Sequence, residues 1–177
     1  MGIPVANRHQ SEIERRVVED GIPPGAGFVE SYELDVVVDP DHVARIPADG
    51  PLLITCNHPF GAHDACSLLS VVESVRPDVK VMVNKMLLCL RFLDGKLIPV
   101  DVFDSSGSGS FSGMRQAARH LRDGGALIIM PAGAVSHLHF PGGMVTDDPW
   151  SRHVGNLAKL SKASVLPAHV EGRNSWV

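Results

Sequence analysis

The sequence predicts an α/β fold, a single layered domain with a mostly parallel central sheet flanked by helices. Two observations predict it. Short apolar runs alternate with helix-like segments over about 120 residues, which is the pattern of a parallel sheet with helical crossovers. The chain has 177 residues, of which 44% are apolar, and this is long enough to bury one core.

Residues 1–28 are expected to form a peripheral arm with a short helix, and residues 29–177 the α/β domain, which is short at its C-terminus. Gly and Pro residues mark the boundaries between elements, because they favour turns and end helices. The predicted strands are Leu34–Val38, Leu52–Cys56, Val79–Val83, Lys96–Val100, Ala126–Met130 and Val165–Val170. The predicted helices are Glu12–Asp20, Ala65–Val75, Met86–Leu93, Phe111–Arg122 and Pro149–Lys162, the last capped by Asp148.

The composition argues against several classes of protein. The net charge is −4, and although residues 51–177 carry 12 bases against 10 acids, this is far from the basic surface of a nucleic-acid-binding protein. No apolar run is long enough to cross a membrane, and residues 1–16 lack the apolar segment of a signal peptide. We therefore expect a cytoplasmic protein. Three cysteines within apolar runs, Cys56, Cys66 and Cys89, are expected to be buried, reduced thiols.

The loop after the strand Leu52–Cys56 is the first place to look for chemistry. Ligands of parallel α/β sheets collect at the carboxyl ends of the strands, and this loop contains His58 and Asp64. A histidine can act as a general base near neutral pH, and a carboxylate on its far nitrogen orients the ring. His58 and Asp64 fit these roles, with His63 as a substitute base.

Four segments in order strengthen this interpretation: Asn57-His58 to Asp64, Gly95 to Asp101, Met130 to Ser136, and Val165 to Ala168 continuing to Arg173. They resemble the motifs of the glycerolipid and lysophospholipid acyltransferases (1-acylglycerol-3-phosphate acyltransferase-like), in particular the hemolysin-like branch. The resemblance covers residues 40–177. The chain departs from the common pattern in having five residues between His58 and Asp64 instead of four, and Ala132 and Val135 in place of a glutamate and an arginine.

The resemblance implies a glycerol-3-phosphate acyltransferase-like fold and an enzyme that moves a fatty acyl group from acyl-CoA or acyl-ACP to the hydroxyl of a lysolipid or related single-chain lipid. It implies His58 and Asp64 as the catalytic dyad, and neither a cofactor nor a metal. The residues expected to bind acceptor or donor are Asn57, Gly61, Lys96, Pro99, Pro131, Gly133, Ser136, Pro167 and Arg173. The turn at Gly133 and the helix after Asp64 are candidate sources of backbone N–H donors for the oxyanion.

The missing arginine bears on the acceptor, because arginine is the residue best suited to bidentate phosphate binding. Either Lys96 and Arg173 compensate, or the acceptor is a lipid without a phosphomonoester, such as an acyl-amino-acid lipid. A lipid substrate would bring the protein to the inner membrane surface. The apolar segment Lys85–Leu93, with its basic flanks, is expected to be a buried core helix, with an interfacial segment as the alternative. The expected partners are the lysolipid acceptor, a second copy of the chain and the acyl thioester donor. The carrier of this donor is coenzyme A or an acyl carrier protein.

Two other functions stay open. A divalent-metal-dependent hydrolase could use His58, His63, Asp64, His137 and His139 as ligands. A truncated, non-catalytic lipid-binding homologue is the second alternative, because the chain ends at Val177, whereas members of the family generally continue with further strands and helices.

Overall fold

A five-stranded parallel sheet forms the centre of the protein. The computed structural model describes residues 3–100 and 108–172, with side chains for residues 8–100 and 111–172. Its strands are β1 Leu52–Cys56, β2 Lys80–Asn84, β3 Leu97–Val100, β4 Ala126–Ile129 and β7 Ser164–Ala168. They lie in the order β3-β2-β4-β1-β7, and every pair is parallel. The predicted single-domain α/β fold is confirmed.

Helices cover both faces of this sheet, and a small hairpin lies beside it. The helices are α1 Ile3–Glu19, α2 Pro24–Ser31, α3 Pro40–Val43, α4 Ala62–Glu73, α5 Ser108–Arg122 and α6 His153–Ser161. Strands β5 His137–His139 and β6 Met144–Thr146 pair antiparallel. Within the described residues, no helix combines the length and apolar character that crossing a membrane requires.

The core lies on the two faces of the central strands. Side chains alternate between the faces of a strand, so Ile54 packs with Leu69 of α4 on one face, while its neighbour Leu53 packs with Leu121 and Leu157 on the other. All residues of β1 and β4 are buried. The loops that follow β1 and β4 therefore start from rigid, fully packed strands.

Part of the N-terminal segment packs into the same core. Ile13 and Phe28 are buried in the cluster that contains Leu69. Helix α2 approaches α4 so closely that a Cβ atom on Gly25 would lie 2.4 Å from the backbone nitrogen of Ser70, which is why a glycine is needed there. The division of the chain at residue 28 stays a prediction.

The predicted strand Leu34–Val38 is wrong. Residues 34–39 have no regular secondary structure, and Val37 is 86% exposed. The valines favour extended backbone locally, but a strand also needs a neighbour, and the edge of the sheet beside β1 is occupied by β7.

Three other predictions need correction. Met86–Leu93 forms two 3₁₀ helices, Lys85–Cys89 and Arg91–Leu93, because Leu90 leaves the helical conformation (φ −83°, ψ 84°). Met86 and Leu88 are exposed, so this segment is not a buried core helix, and Cys89 is an exposed thiol. The last helix begins at His153, not Pro149, because the Ser151 N–H is bonded to Pro131 O.

Candidate active site

His58 and Asp64 meet in the loop between β1 and α4. His58 Nδ1 lies 3.1 Å from Asp64 Oδ2. Gly61 adopts a left-handed backbone (φ 68°) immediately before α4, a conformation that favours glycine. This turn places Asp64 in the first turn of the helix, where the helix dipole stabilises a carboxylate. The spacing of five residues is thus compatible with a direct contact.

The Asp64 carboxylate is enclosed, and one of its oxygens has no partner in the part of the chain that the structure describes. Its side chain is fully buried, whereas that of His58 is 19% exposed. Oδ2 also accepts a hydrogen bond from the backbone N–H of Phe60 at 2.7 Å, while the buried Oδ1 has no hydrogen-bond partner among the described residues. A carboxylate on Nδ1 favours the tautomer that carries its proton there. This arrangement leaves His58 Nε2 as the basic nitrogen.

Asp147 and Ser136 hold the backbone of His58 from the other side. The His58 N–H donates to Asp147 Oδ1 at 3.1 Å, and Ser136 N donates to His58 O at 2.8 Å. The Ser136 hydroxyl donates to the same Oδ1 at 2.5 Å, and the Trp150 indole N–H donates to Oδ2. Partial burial opposes ionisation, but these hydrogen bonds outweigh it and lower the pKa of Asp147.

Asn57 ties the start of the loop to the chain after β7. Its Nδ2 donates to Val170 O at 2.9 Å, and its Oδ1 accepts from Val170 N at 2.7 Å. The side-chain amide thus extends the pairing of β1 with β7 by one pair of hydrogen bonds. Asn57 thus fixes the start of the His58 loop by bonding the backbone of Val170.

The neighbouring thiols are protonated. Burial, together with the negative charges of Asp64 and Asp147, raises the pKa of Cys56 to about 12. Burial, with a contribution from Glu73, raises the pKa of Cys66 to about 12 as well. Because the thiolate is the nucleophile, neither cysteine is activated to accept an acyl group.

His63 packs against two aromatic rings and does not contact the Asp64 carboxylate. Its ring packs edge-on against Phe28 and Tyr32, with centroids 5.6 and 5.5 Å apart. Its Nδ1 lies 3.3 Å from Phe60 O. These contacts give His63 no link to Asp64 that would orient it as the substitute base.

The third motif follows β4 and the fourth begins on β7, and these are the two strands that flank β1. Pro131 and Gly133 follow β4, and Ser136 contacts His58 directly. A Cβ atom on Gly61 would lie 3.6 Å from Val135 of this loop. On the other side, Pro167 is opposite Thr55 in the pairing of β7 with β1.

The second motif lies far from the dyad. Pro99 is in β3, which is three strand spacings from β1, or about 14 Å at the usual separation. Lys96 precedes β3 and therefore lies at the amino end of the sheet, where its Nζ is 2.9 Å from Glu73 Oε1 and donates to Pro77 O. The structure does not bring Lys96 to the site, and the expected role of Arg173 lies outside the described residues.

A cavity of about 960 Å³ borders the dyad. Phe60, His63 and Asp64 line one side, and apolar residues supply most of the remaining wall. These include Val36, Val37, Val38, Val43, Leu68, Val71, Leu166 and Val170. His58 is not among the lining residues, so the cavity meets the dyad through Asp64.

The ligand set of the metal-dependent hydrolase is not assembled. In residues 3–100 and 108–172, the side chains close enough to share a metal ion are His137, His139 and Asp148. His58 contacts Asp64 and Asp147, and neither His58 nor Asp64 contacts the histidines of β5. The structure thus separates the two groups that this alternative requires to act together.

Comparison with known proteins agrees with this geometry. The sequence profile of a family described as "Acyltransferase" matches residues 24–177. The chain belongs to this acyltransferase family. It is 29% identical over 170 residues to a lyso-glycine lipid O-acyltransferase of Bacteroides thetaiotaomicron, covering 94% of this chain and 61% of the relative. A protein of the same name from Phocaeicola vulgatus is 26% identical over 170 residues, covering 94% of this chain and 59% of the relative. The chain thus spans about six tenths of the length of these relatives.

Sequence reasoning missed Asp147 and the cavity. Asp147 precedes the residue that we expected to cap α6, so its local sequence suggested only a helix start. Its contact with His58 spans 89 residues, and no local pattern reports such a contact. The three valines of residues 36–38 line the cavity, but an apolar run alone does not show that a cavity is present.

Proposed function

We propose that this chain transfers a fatty acyl group from an acyl thioester, on coenzyme A or an acyl carrier protein, to the hydroxyl of a lysolipid or related single-chain lipid. The observation that carries the proposal is the contact between His58 Nδ1 and the buried Asp64 carboxylate, in a chain that belongs to an acyltransferase family. Asp64 orients the ring and stabilises the imidazolium, and His58 is the general base.

The reaction follows from this arrangement in two steps. His58 Nε2 takes the proton of the acceptor hydroxyl as its oxygen attacks the thioester carbonyl carbon, which forms a tetrahedral oxyanion. The oxyanion then collapses, the carbon–sulfur bond breaks, and the imidazolium returns the proton to the leaving thiolate. The products are an ester and a free thiol. No acyl-enzyme is needed, in agreement with the protonated Cys56.

Backbone N–H groups of α4 are the better source of oxyanion stabilisation. The first N–H groups of a helix have no partner within it, and Gly61 provides no side-chain cap for α4. The Asp64 N–H is donated to Gly61 O at 3.2 Å, so the candidates are the N–H groups of Ala62 and His63. The Gly133 N–H is already donated to Met130 O at 3.1 Å. Of the two sources expected from the sequence, we therefore favour the helix after the His58 loop.

The cavity suits an acyl chain. Its volume of about 960 Å³ is at the upper end for a small-molecule site, and a saturated chain gains free energy from contact with its valine and leucine walls. Asp64 at its border would bring the head of such a chain close to the dyad.

We propose an acceptor without a phosphomonoester, such as an acyl-amino-acid lipid. The third motif has Val135 in place of the arginine, and Lys96 is engaged by Glu73 at the other end of the sheet. Both relatives are named as acyltransferases of lyso-glycine lipid, which supports the same class of acceptor.

We further propose that the protein works at the cytoplasmic face of the inner membrane. Met86, Leu87 and Leu88 are exposed by 68%, 37% and 51%, and Arg91 follows them in the next 3₁₀ helix. Exposed apolar side chains beside a basic residue are typical of a segment that lies in a lipid interface. Sedimentation with anionic vesicles should therefore weaken when Leu88 is replaced by Ser.

The test is release of thiol from a long-chain acyl-CoA or acyl-ACP, with a panel of lysolipids and acyl-amino-acid lipids as acceptors. Release should require an acceptor, yield the acylated lipid, and fall by about 10²–10⁴-fold in His58→Ala. The matched control is His153→Ala, which removes an exposed histidine at the start of α6. It should retain full activity.

Three results would contradict the proposal. Release without an acceptor would indicate a thioesterase that uses the same dyad. Release that is abolished by a chelator and restored by a divalent metal would favour the hydrolase alternative. Binding of acyl thioester without turnover, unchanged in His58→Ala, would favour the non-catalytic lipid-binding homologue.

A further inference from the structure

Two histidines and an aspartate converge at the base of the hairpin formed by β5 and β6. His137 and His139 are two residues apart on β5, so their side chains are on the same face of the strand, with ring centroids 4.4 Å apart. Asp148 Oδ1 lies 3.7 Å from His137 Nε2 and 3.9 Å from His139 Nε2. One potential ligand atom from each residue lies within 4.8 Å of the others.

These distances are close to those of a zinc site. With metal–ligand bonds of about 2.0–2.1 Å, the ligand atoms of a tetrahedral site are about 3.4 Å apart. His137 and Asp148 are only slightly further apart than this. Half-exposed side chains can close the difference by rotation, and water can fill a fourth position.

The hydrogen bonds around the cluster support ligation by His137. Its Nδ1 lies 3.3 Å from Val135 O, and a ligating histidine commonly donates its other ring N–H to such a carbonyl. Nε2 then faces Asp148. His139 Nε2 lies 3.2 Å from Thr146 O, a contact that ligation through this nitrogen would replace.

We propose that His137, His139 and Asp148 form a binding site for a divalent transition-metal cation of the zinc class, separate from the His58–Asp64 dyad. Two imidazoles and one carboxylate suit zinc, whereas Mg²⁺ and Ca²⁺ prefer oxygen ligands. The proposal does not depend on the proposed function, because none of the three residues contacts the dyad.

The site lies next to the residues that hold His58. Ser136 and Asp147 precede His137 and Asp148 in the chain, and both bond the backbone of His58 or each other. A metal that joins β5 to Asp148 would fix the two segments that carry these contacts. Binding should therefore stabilise the folded chain.

The experiment uses full-length protein without a polyhistidine tag, stripped with chelator and dialysed. Calorimetric titration with Zn²⁺ should give one site per chain, and Co²⁺ should produce the visible absorption of a tetrahedral complex. Zn²⁺ should also raise Tm. His139→Ala and, separately, Asp148→Asn should each weaken Zn²⁺ binding at least tenfold and remove the Tm increase, while His42→Ala, which changes an exposed histidine of α3, should match the wild type.

Several outcomes would overturn the site. These are no saturable Zn²⁺ binding to the wild type, equal binding in both variants, or Mg²⁺ binding as tightly as Zn²⁺. Loss of Zn²⁺ binding in His58→Ala, with retention in His139→Ala, would move the metal to the dyad. Circular dichroism checks that each variant is folded, and the two independent variants keep the test decisive if one of them is not.

Discussion

Buried charged side chains lie at both ends of the parallel sheet, with different surroundings. At the amino ends of the strands, Arg76 is 2% exposed and its guanidinium is fully engaged. It bonds both oxygens of Asp78 and the carbonyl oxygens of Gly50 and Gly124, which precede β1 and β4. At the carboxyl ends, Asp64 is equally buried, but one of its oxygens has no partner among the described residues.

This difference distinguishes a network that stabilises the fold, around Arg76, from a candidate catalytic pair, His58 and Asp64. Arg76 uses its donors to join three segments, so nothing remains to bind a ligand. Asp64 is paired with His58, which is partly exposed. Asp64 Oδ1, which has no described partner, can still accept a hydrogen bond when His58 gains a proton. Both networks bury a charged side chain, but of the two only the one at the carboxyl ends combines a carboxylate oxygen that has no described partner with a partly exposed histidine.

Of the charged side chains in these two networks, Asp64 should have the largest effect on activity when it is removed. Asp64→Ala leaves the His58 ring without its orienting carboxylate, and we expect kcat to fall by about 10³–10⁴-fold. The matched carboxylate at the other end, in Asp78→Ala, should leave kcat of the folded enzyme within about twofold, since its side chain bonds Arg76 and not the dyad. Steady-state kinetics on both variants test this, and comparable losses would mean that the two ends are not functionally distinct.

Removing Arg76 should have the largest effect on stability. Arg76→Met leaves the carbonyl oxygens of Gly50 and Gly124 and the half-exposed Asp78 without their donor, so the free energy of unfolding should fall by about 2–5 kcal/mol, with little change in kcat. Denaturant titration measures it. The control is Arg119→Met, which removes an 83% exposed partner of Asp123 and should cost less than about 1 kcal/mol. An equal cost for both variants would refute the structural role of Arg76.

Asp147→Asn should have an intermediate effect on both kcat and the free energy of unfolding. An asparagine keeps one acceptor but loses the charge that three donors share, so the free energy of unfolding should drop by about 1–3 kcal/mol. Because the backbone of His58 moves with it, we expect kcat to fall about tenfold at unchanged KM. Asp123→Asn is the exposed control. A change in KM alone would indicate that Asp147 binds substrate instead.

The smallest expected effect is on stability at acidic pH, through Asp78 at the amino ends of the strands. The hydrogen bond from Arg76 outweighs partial burial and lowers the pKa of Asp78. Ionised Asp78 therefore stabilises the fold above the ordinary aspartate pKa of about 3.9, and this contribution is lost as pH falls through the lowered value in the folded protein. Wild type should exceed Asp78→Asn in unfolding free energy at pH 7, and the gap should close on acidification below pH 4. A difference in unfolding free energy that is independent of pH would contradict the role of ionised Asp78.

The features that were predicted best from the sequence are those that a local pattern of residues determines. Leu52–Cys56 is a strand with the predicted bounds, because an apolar run between a proline and a polar loop has few other ways to be buried. The proximity of His58 to Asp64 was also predictable, since a glycine turn joins the strand end to the helix start. Both depend on residues less than ten positions apart.

Features that depend on distant partners could not be predicted. Leu34–Val38 has the composition of a strand, but it pairs with none of the strands of the described sheet. Asp148 and Pro149 have the composition of a helix start, but the bonds of Asp147 and Ser151 to earlier loops delay α6 to His153. Lys96 belongs to a motif of the family, yet its position before β3 puts it at the other end of the sheet.

The links of the His58 loop also bear on the order in which the protein is assembled. Its tertiary partners Ser136, Asp147 and Val170 all come from the last quarter of the sequence, and the bonds of Asn57 span 113 residues. Contacts between such distant residues require the closure of long loops and form slowly. During synthesis, the strand that carries the histidine leaves the ribosome long before the segments that position it. A nascent chain can therefore pack much of its core while its dyad is still unsupported, and the surroundings of the dyad are completed only when the last strand has been added.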